Sequence, residues 1–169
     1  YFAAGSPTTE MSLAEVKAGL FSALDKLGAR KKVLAVPPDF TRMHSQSGTL
    51  TEMAWQYYGE HLADVLPALG THKPMTDTEI AIMFGATPRG LFRVHDWRND
   101  VVTLGEVPGS FLYDVSEGKV DYTWPAQVNK LLRDGGHDLI LSIGQVVPHE
   151  VIGMANYNKN IFVGTGGSI

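Results

Sequence analysis

Short apolar runs that stop at polar turns alternate along this chain with longer helical stripes, and that alternation limits the fold more than any other feature. Lys32-Val33-Leu34-Ala35-Val36 is one such run, closed by Pro37-Pro38. Asp138-Leu139-Ile140-Leu141-Ser142-Ile143-Gly144 is the clearest. Runs this short, rich in branched residues and bounded by Gly or Pro, read as buried strands. Ser12-Leu13-Ala14-Glu15 has the form of a capping box, and apolar residues from Leu13 to Leu27 recur at helical spacing before Gly28. Thr49 is expected to cap a second helix running to about Leu62. Thr76-Asp77-Thr78-Glu79 opens a short helix ending near Gly85. A further helix is expected over Pro125–Arg133, and strands over Ala63–Leu69, Leu91–His95, Val101–Val107 and Lys159–Gly164. The stretch Gly109–Thr123 is the least regular and reads as a small antiparallel excursion.

Strands alternating with helices imply an α/β fold: a mainly parallel sheet with helices on both faces, a Rossmann-like three-layer arrangement. Residues 1–169 are expected to form one such domain, because this length encloses one sizeable core. Val33–Val36 and Leu139–Ile143 are expected as central strands, with Leu34, Val36, Ile140 and Leu141 buried. Ligands of such sheets sit at the C-terminal ends of the strands. Three strands here run into polar or His-bearing loops: Asp39-Phe40-Thr41-Arg42, Thr71-His72-Lys73 and Gln145 to His149.

Composition narrows the chemistry. There are no cysteines, which excludes disulfides, zinc–thiolate sites and thiol catalysis in this chain. The net charge of −4 and the lack of a Lys/Arg cluster argue against a nucleic-acid partner. No apolar run is long enough to span a membrane, and Tyr1 to Pro7 lacks the basic and apolar regions of a signal peptide. A cytoplasmic location is the expectation.

Arg42 can grip a carboxylate or phosphate in a bidentate fork, although a surface Arg beside an Asx turn has the same local sequence. His72 and His149 each end a strand, and two such histidines on one parallel sheet favour a shared acid–base site. His95 beside Asp96 reads as structural or supporting, whereas His44, His61 and His137 look exposed. The string Gly164-Thr165-Gly166-Gly167 could offer backbone amides to a phosphate, but it is not a Walker loop.

Taken in order, these segments resemble the N-terminal domain of the lactate racemase family. The match is carried by Asp39-x-Thr41-Arg42, then Gly70-Thr71-His72-Lys73-Pro74, then Gly144-x-Val146-x-Pro148-His149, with Lys159 ten positions on and Gly164 after it. It runs from about Val33 to the end. The resemblance implies a racemase or epimerase of 2-hydroxy acids, in which the C2 hydrogen moves as hydride to a nickel pincer nucleotide and returns to either face. It further implies that Lys159 carries this nucleotide through a thioamide bond, with Asp39 and Thr41 as further cofactor-side residues. His72 and His149 then form the acid–base pair, and Arg42 holds the substrate carboxylate.

Two departures qualify it. Met154-Ala155-Asn156-Tyr157-Asn158 stands where lactate-specific members show a small, glycine-rich stretch, so another 2-hydroxy acid is expected. The family's nickel-ligating histidine is expected beyond Ile169, as is a C-terminal domain that closes the cleft. The chain is therefore expected to be the N-terminal half of a two-domain protein, lacking the cofactor and inactive alone. Its expected partners are a 2-hydroxy acid, its own C-terminal domain and cofactor-synthesis enzymes. The alternative reading is a nucleotide- or anion-binding domain that uses the same cleft without nickel chemistry.

Overall fold

A computed structural model describes residues 1–167. Helix α1 (Leu13–Leu27) begins at a complete capping box between Ser12 and Glu15 and stops at Gly28, whose φ of 75° suits a residue without Cβ. Strand β1 (Val33–Val36) follows, and then a 3₁₀ turn over Phe40–Ser45. Helix α2 (Ser47–Tyr58) starts two residues before the expected cap, with Gln46 in the left-handed region and no side-chain cap bond. Thr49 lies inside it. A turn through Gly59–His61 leads to β2 (Leu62–Val65), so the helix ends earlier than its apolar pattern suggested. Beyond Val65 the chain still runs beside β1: Leu66 N–H donates to Ala35 O and Ala68 N–H to Pro37 O. Helix α3 (Asp77–Phe84) carries the second complete capping box, Thr76 with Glu79.

The segment expected as a strand over Leu91–His95 is a turn, Arg89–Leu91, followed by one parallel bridge between Phe92 and Val65. Strand β3 (Val101–Val107) is where the sequence suggested. Helix α4 (Gly109–Val115) fills much of the irregular stretch. The antiparallel pairing is made by its flanks, because β4 (Trp124–Asn129) pairs antiparallel with β3. A helix over Pro125–Arg133 is thus corrected to β4 followed by the short α5 (Lys130–Asp134), capped by Asn129, whose Oδ1 accepts from Leu131 N–H. Pro125 is tolerated because a two-stranded ribbon has a free edge. Strand β5 (Leu139–Ser142) comes next, then a two-residue hairpin of β6 (Pro148–His149) and β7 (Gly153–Met154). The last element is α6 (Asn158–Phe162), where a strand was expected over Lys159–Gly164. An apolar run this short fits a helix as well as a strand.

The main sheet is parallel, in the order β2-β1-β5. All four residues of β1 are buried, as a strand covered on both faces requires. Val33 and Ala35 pack with Leu24, Ala54, Tyr58, Ile80, Met83 and Phe84 from α1, α2 and α3. Leu34 and Val36 face the other way, with Leu66, toward Leu131, Leu132 and Ile161 of α5 and α6. Helices therefore cover both faces, and the α/β three-layer reading holds. β5 is not central: among the described residues no strand pairs with its outer side. Ile140 is accordingly 37% exposed and Leu141 only partly buried, against the expectation for both. No helix among the described residues is long and apolar enough to cross a membrane.

Candidate functional site

A parallel sheet brings the loops that follow its strands to one edge, and three of the candidate loops follow β1, β2 and β5. After β1, Pro37 and Pro38 still run beside Ala68, and Asp39 then caps the 3₁₀ turn. Asp39 is 6% exposed. Its Oδ1 accepts from Thr41 N–H at 3.2 Å and from Thr41 Oγ1–H at 2.5 Å. Its Oδ2 accepts from His72 Nδ1–H at 2.6 Å. Both carboxylate oxygens are thus engaged within the chain. Arg42 stands one position past Thr41, exposed, at a kink in the turn.

His72 follows β2, and its side chain is 57% exposed. Since an ionised carboxylate only accepts, Nδ1 carries the proton and Nε2 keeps its lone pair in the neutral ring. His149 presents the opposite arrangement. Its Nδ1 accepts from Val151 N–H at 3.1 Å, which leaves Nε2 as the protonated nitrogen of the neutral ring. Glu150 Oε2 lies 3.6 Å from the same Nδ1. The Glu150 carboxyl is held below its usual range, first by its own backbone N–H, then by His149 when that ring is protonated, and by the charges of Arg42 and Lys159.

Lys159 sits in the first turn of α6, half-buried. Asparagines fix that turn. Asn160 is buried and donates from Nδ2 to Val36 O at 3.2 Å and to Asn156 Oδ1, which docks α6 on the C-terminal end of β1. Asn156 is buried too, with a φ of 54°, and its side chain fills the space a Cβ on Gly144 would need. Sequence reading missed both residues. Their only signal was the polar stretch before Lys159, and a polar residue there could as well have faced solvent.

Two cavities meet at Lys159. The smaller, about 210 Å³, is walled by Arg42, His44, His149, Glu150 and Asn156 as well as Lys159. The larger, about 360 Å³, is walled by His72, Trp97, Trp124 and Phe162 as well as Lys159. The sheet edge thus gathers Arg42, His149 and Lys159 at one cavity, and His72 and Lys159 at the next. Asp39 and Thr41 stand behind His72. Among the described residues Lys159 forms no ion pair, and no group of three or more His, Asp or Glu side chains is arranged for a metal.

Two of the amides in the glycine string beside the larger cavity are engaged within the chain. Gly164 N–H donates to Lys159 O and Gly166 N–H to Val163 O, so both amides are spent inside the chain. A Cβ on Gly164, Gly166 or Gly167 would collide with Asn160, Phe162 or Gln127. These glycines permit close packing. His95 holds the string down from the other side. Asn129 Oδ1 is already the acceptor for Leu131, so Asn129 Nδ2 donates to His95 Nδ1 at 3.0 Å, and His95 Nε2–H donates to Gly166 O at 3.0 Å. Burial lowers the His95 pKa and keeps the ring neutral. His137, expected to be exposed, has a fully buried side chain bonded to Asp64 at 2.7 Å.

A family model described as the lactate racemase N-terminal domain matches residues 18–168. The crystal structure of a Thermotoga maritima protein is similar over 99% of this chain and 40% of its own, with a TM-score of 0.86 and 27% identity. The structure of the lactate racemase apoprotein from Thermoanaerobacterium thermosaccharolyticum is similar over 94% of this chain and 38% of its own, with a TM-score of 0.69 and 21% identity. At that identity the second likeness speaks for the fold alone. The chain spans about two fifths of the length of both structures. No curated protein matched.

Proposed function

This chain belongs to the lactate racemase N-terminal domain family, and we propose that it is the part of a 2-hydroxy acid racemase or epimerase that anchors a nickel pincer nucleotide. One observation carries the reading. Lys159 lies on the common wall of two cavities, with Arg42 and His149 on one side and His72 on the other. An amine that must hold a cofactor beside a substrate belongs at such a junction.

The residues present fit the group. The Lys159 amine makes no ion pair among the described residues, so its attachment to a carboxyl-derived group would sacrifice no partner. When bound, the nucleotide supplies a reversible hydride acceptor, which no side chain provides. Asp39 and Thr41 contribute to its side of the cleft by fixing the turn and the His72 ring.

The remaining work falls to this chain's own side chains. Arg42 binds the substrate carboxylate in a two-pronged fork, which sets the plane about which the two faces of C2 exchange. His72, with Nδ1–H held by Asp39, offers the Nε2 lone pair as a base toward the C2 hydroxyl. His149 acts as the acid in its imidazolium form, donating from Nε2–H, with the Glu150 carboxylate 3.6 Å from Nδ1 beside the charge. One histidine enters the turnover neutral, as base, and the other protonated, as acid, and a turnover in one direction leaves them exchanged for the other. Positioned acid–base groups of this kind contribute about 10²–10⁴-fold in rate.

The test is exchange of the C2 hydrogen across a panel of 2-hydroxy acids by the full-length, cofactor-loaded protein. Exchange with inversion for at least one acid is expected. Absence of exchange for all of them in a protein that carries the adduct would defeat the reading.

A further inference from the structure

Resting on the reading that Lys159 anchors a nucleotide, we infer that the larger cavity is a subsite for a planar aromatic ring, formed by Trp97 and Trp124. Neither residue belongs to the motifs that carry the family resemblance. The cavity of about 360 Å³ has no carboxylate in its walls. Its polar groups are His72, Thr71 and Lys159, while the indoles and Phe162 make the flat apolar surface.

Both indoles are set in place before any ligand arrives. The Arg98 guanidinium lies 3.4 Å from the Trp97 ring centroid. Tyr122 stacks on Trp124, with centroids 5.9 Å apart and the planes 28° from parallel. Each indole is thus backed by another planar group, so little side-chain order has to be created on binding. Trp124 is 37% exposed, so part of its indole surface is open at the cavity. Lys159 on the same wall means that a group tethered to its Nζ stands beside these rings.

A ring can reach this cavity from two sources. One is the pyridine ring of the nucleotide. The other is an aromatic side chain on the 2-hydroxy acid itself. A methyl group, the side chain of lactate, would leave the indoles unmatched.

The experiment titrates the full-length apoprotein separately with nicotinic acid mononucleotide, 3-phenyllactate and lactate, following tryptophan fluorescence. Trp55 in α2 packs against the core and supplies a constant background. At least one ring-bearing probe is expected to quench saturably, and lactate is not. The probe that does so assigns the ring to the nucleotide or to the substrate. Trp97→Leu and Trp124→Leu should each weaken that binding about two- to tenfold, the range for one aromatic pair, while Trp97→Phe stays within about twofold. Lys159→Ala should leave ring binding in place, which separates failure of the anchor from failure of the subsite. The subsite is overturned if neither ring-bearing probe gives a saturable signal, if lactate matches them, or if the leucine variants bind at full strength.

Discussion

At the scale of residues, the candidate site is defined by what each histidine does with its second nitrogen. His72 Nδ1 is committed to Asp39 and His149 Nδ1 to Val151, so their Nε2 atoms differ in protonation although the residue type is the same. His72→Ala and His149→Ala should each reduce racemisation in both directions by about 10²–10⁴-fold. Asp39→Asn should lower kcat with little change in KM, because the amide can reverse the His72 tautomer without touching the substrate. Activity measured from either enantiomer checks this, and an unchanged kcat in Asp39→Asn would separate the pair.

His95 allows a pH prediction at the same scale. Its folded pKa is lowered by burial, so the unfolded chain takes up a proton below about pH 6.5 that the folded chain refuses. Stability from this group is therefore complete above that pH and is lost as pH falls toward the folded value. The midpoint of urea unfolding should drop between pH 7 and pH 5 by more in the wild type than in His95→Gln. Equal drops would mean that other groups carry the acid sensitivity.

At the scale of elements, local signals were legible and pairing was not. Both capping boxes lie within four consecutive residues, and both were found. Thr76→Ala should cost about 1 kcal/mol, measured by denaturant unfolding. Strand β4 was read as a helix because its partner β3 lies some twenty residues back, across α4. The edge position of β5 was illegible for the same reason: strand order depends on which segments meet, and Leu139–Ser142 is as apolar as a central strand. Lys159 was singled out by the family resemblance, but its helix depends on Asn160 reaching Val36 and Asn156, contacts that no local pattern announces. Gly48 gives a sharper test of packing between elements. A Cβ there would run into the Met83 carbonyl, where α2 crosses α3. Gly48→Ala should destabilise by about 1–3 kcal/mol as overpacking does, whereas Gly90→Ala, with open space around it, should change little.

At the scale of the whole molecule, a chain with net charge −4 sets the Arg42 guanidinium at the smaller cavity, faced there by the Glu150 carboxylate, while Lys159 gives up its charge once acylated. An anionic substrate would be drawn to the Arg42 guanidinium, an attraction that salt screens over about 8–10 Å near physiological ionic strength. The KM for a monocarboxylate should therefore rise with added salt while kcat holds. A KM insensitive to salt would place the carboxylate elsewhere.

The central claim is the anchor, and intact mass addresses it most directly. The full-length protein, co-expressed with enzymes that synthesise the pincer nucleotide, should gain the mass of that nucleotide. Proteolysis should locate the increment on the peptide carrying Lys159, and Lys159→Ala should lack it. A protein that racemises a 2-hydroxy acid with Lys159 unmodified, or that carries the adduct on another residue, would contradict the account.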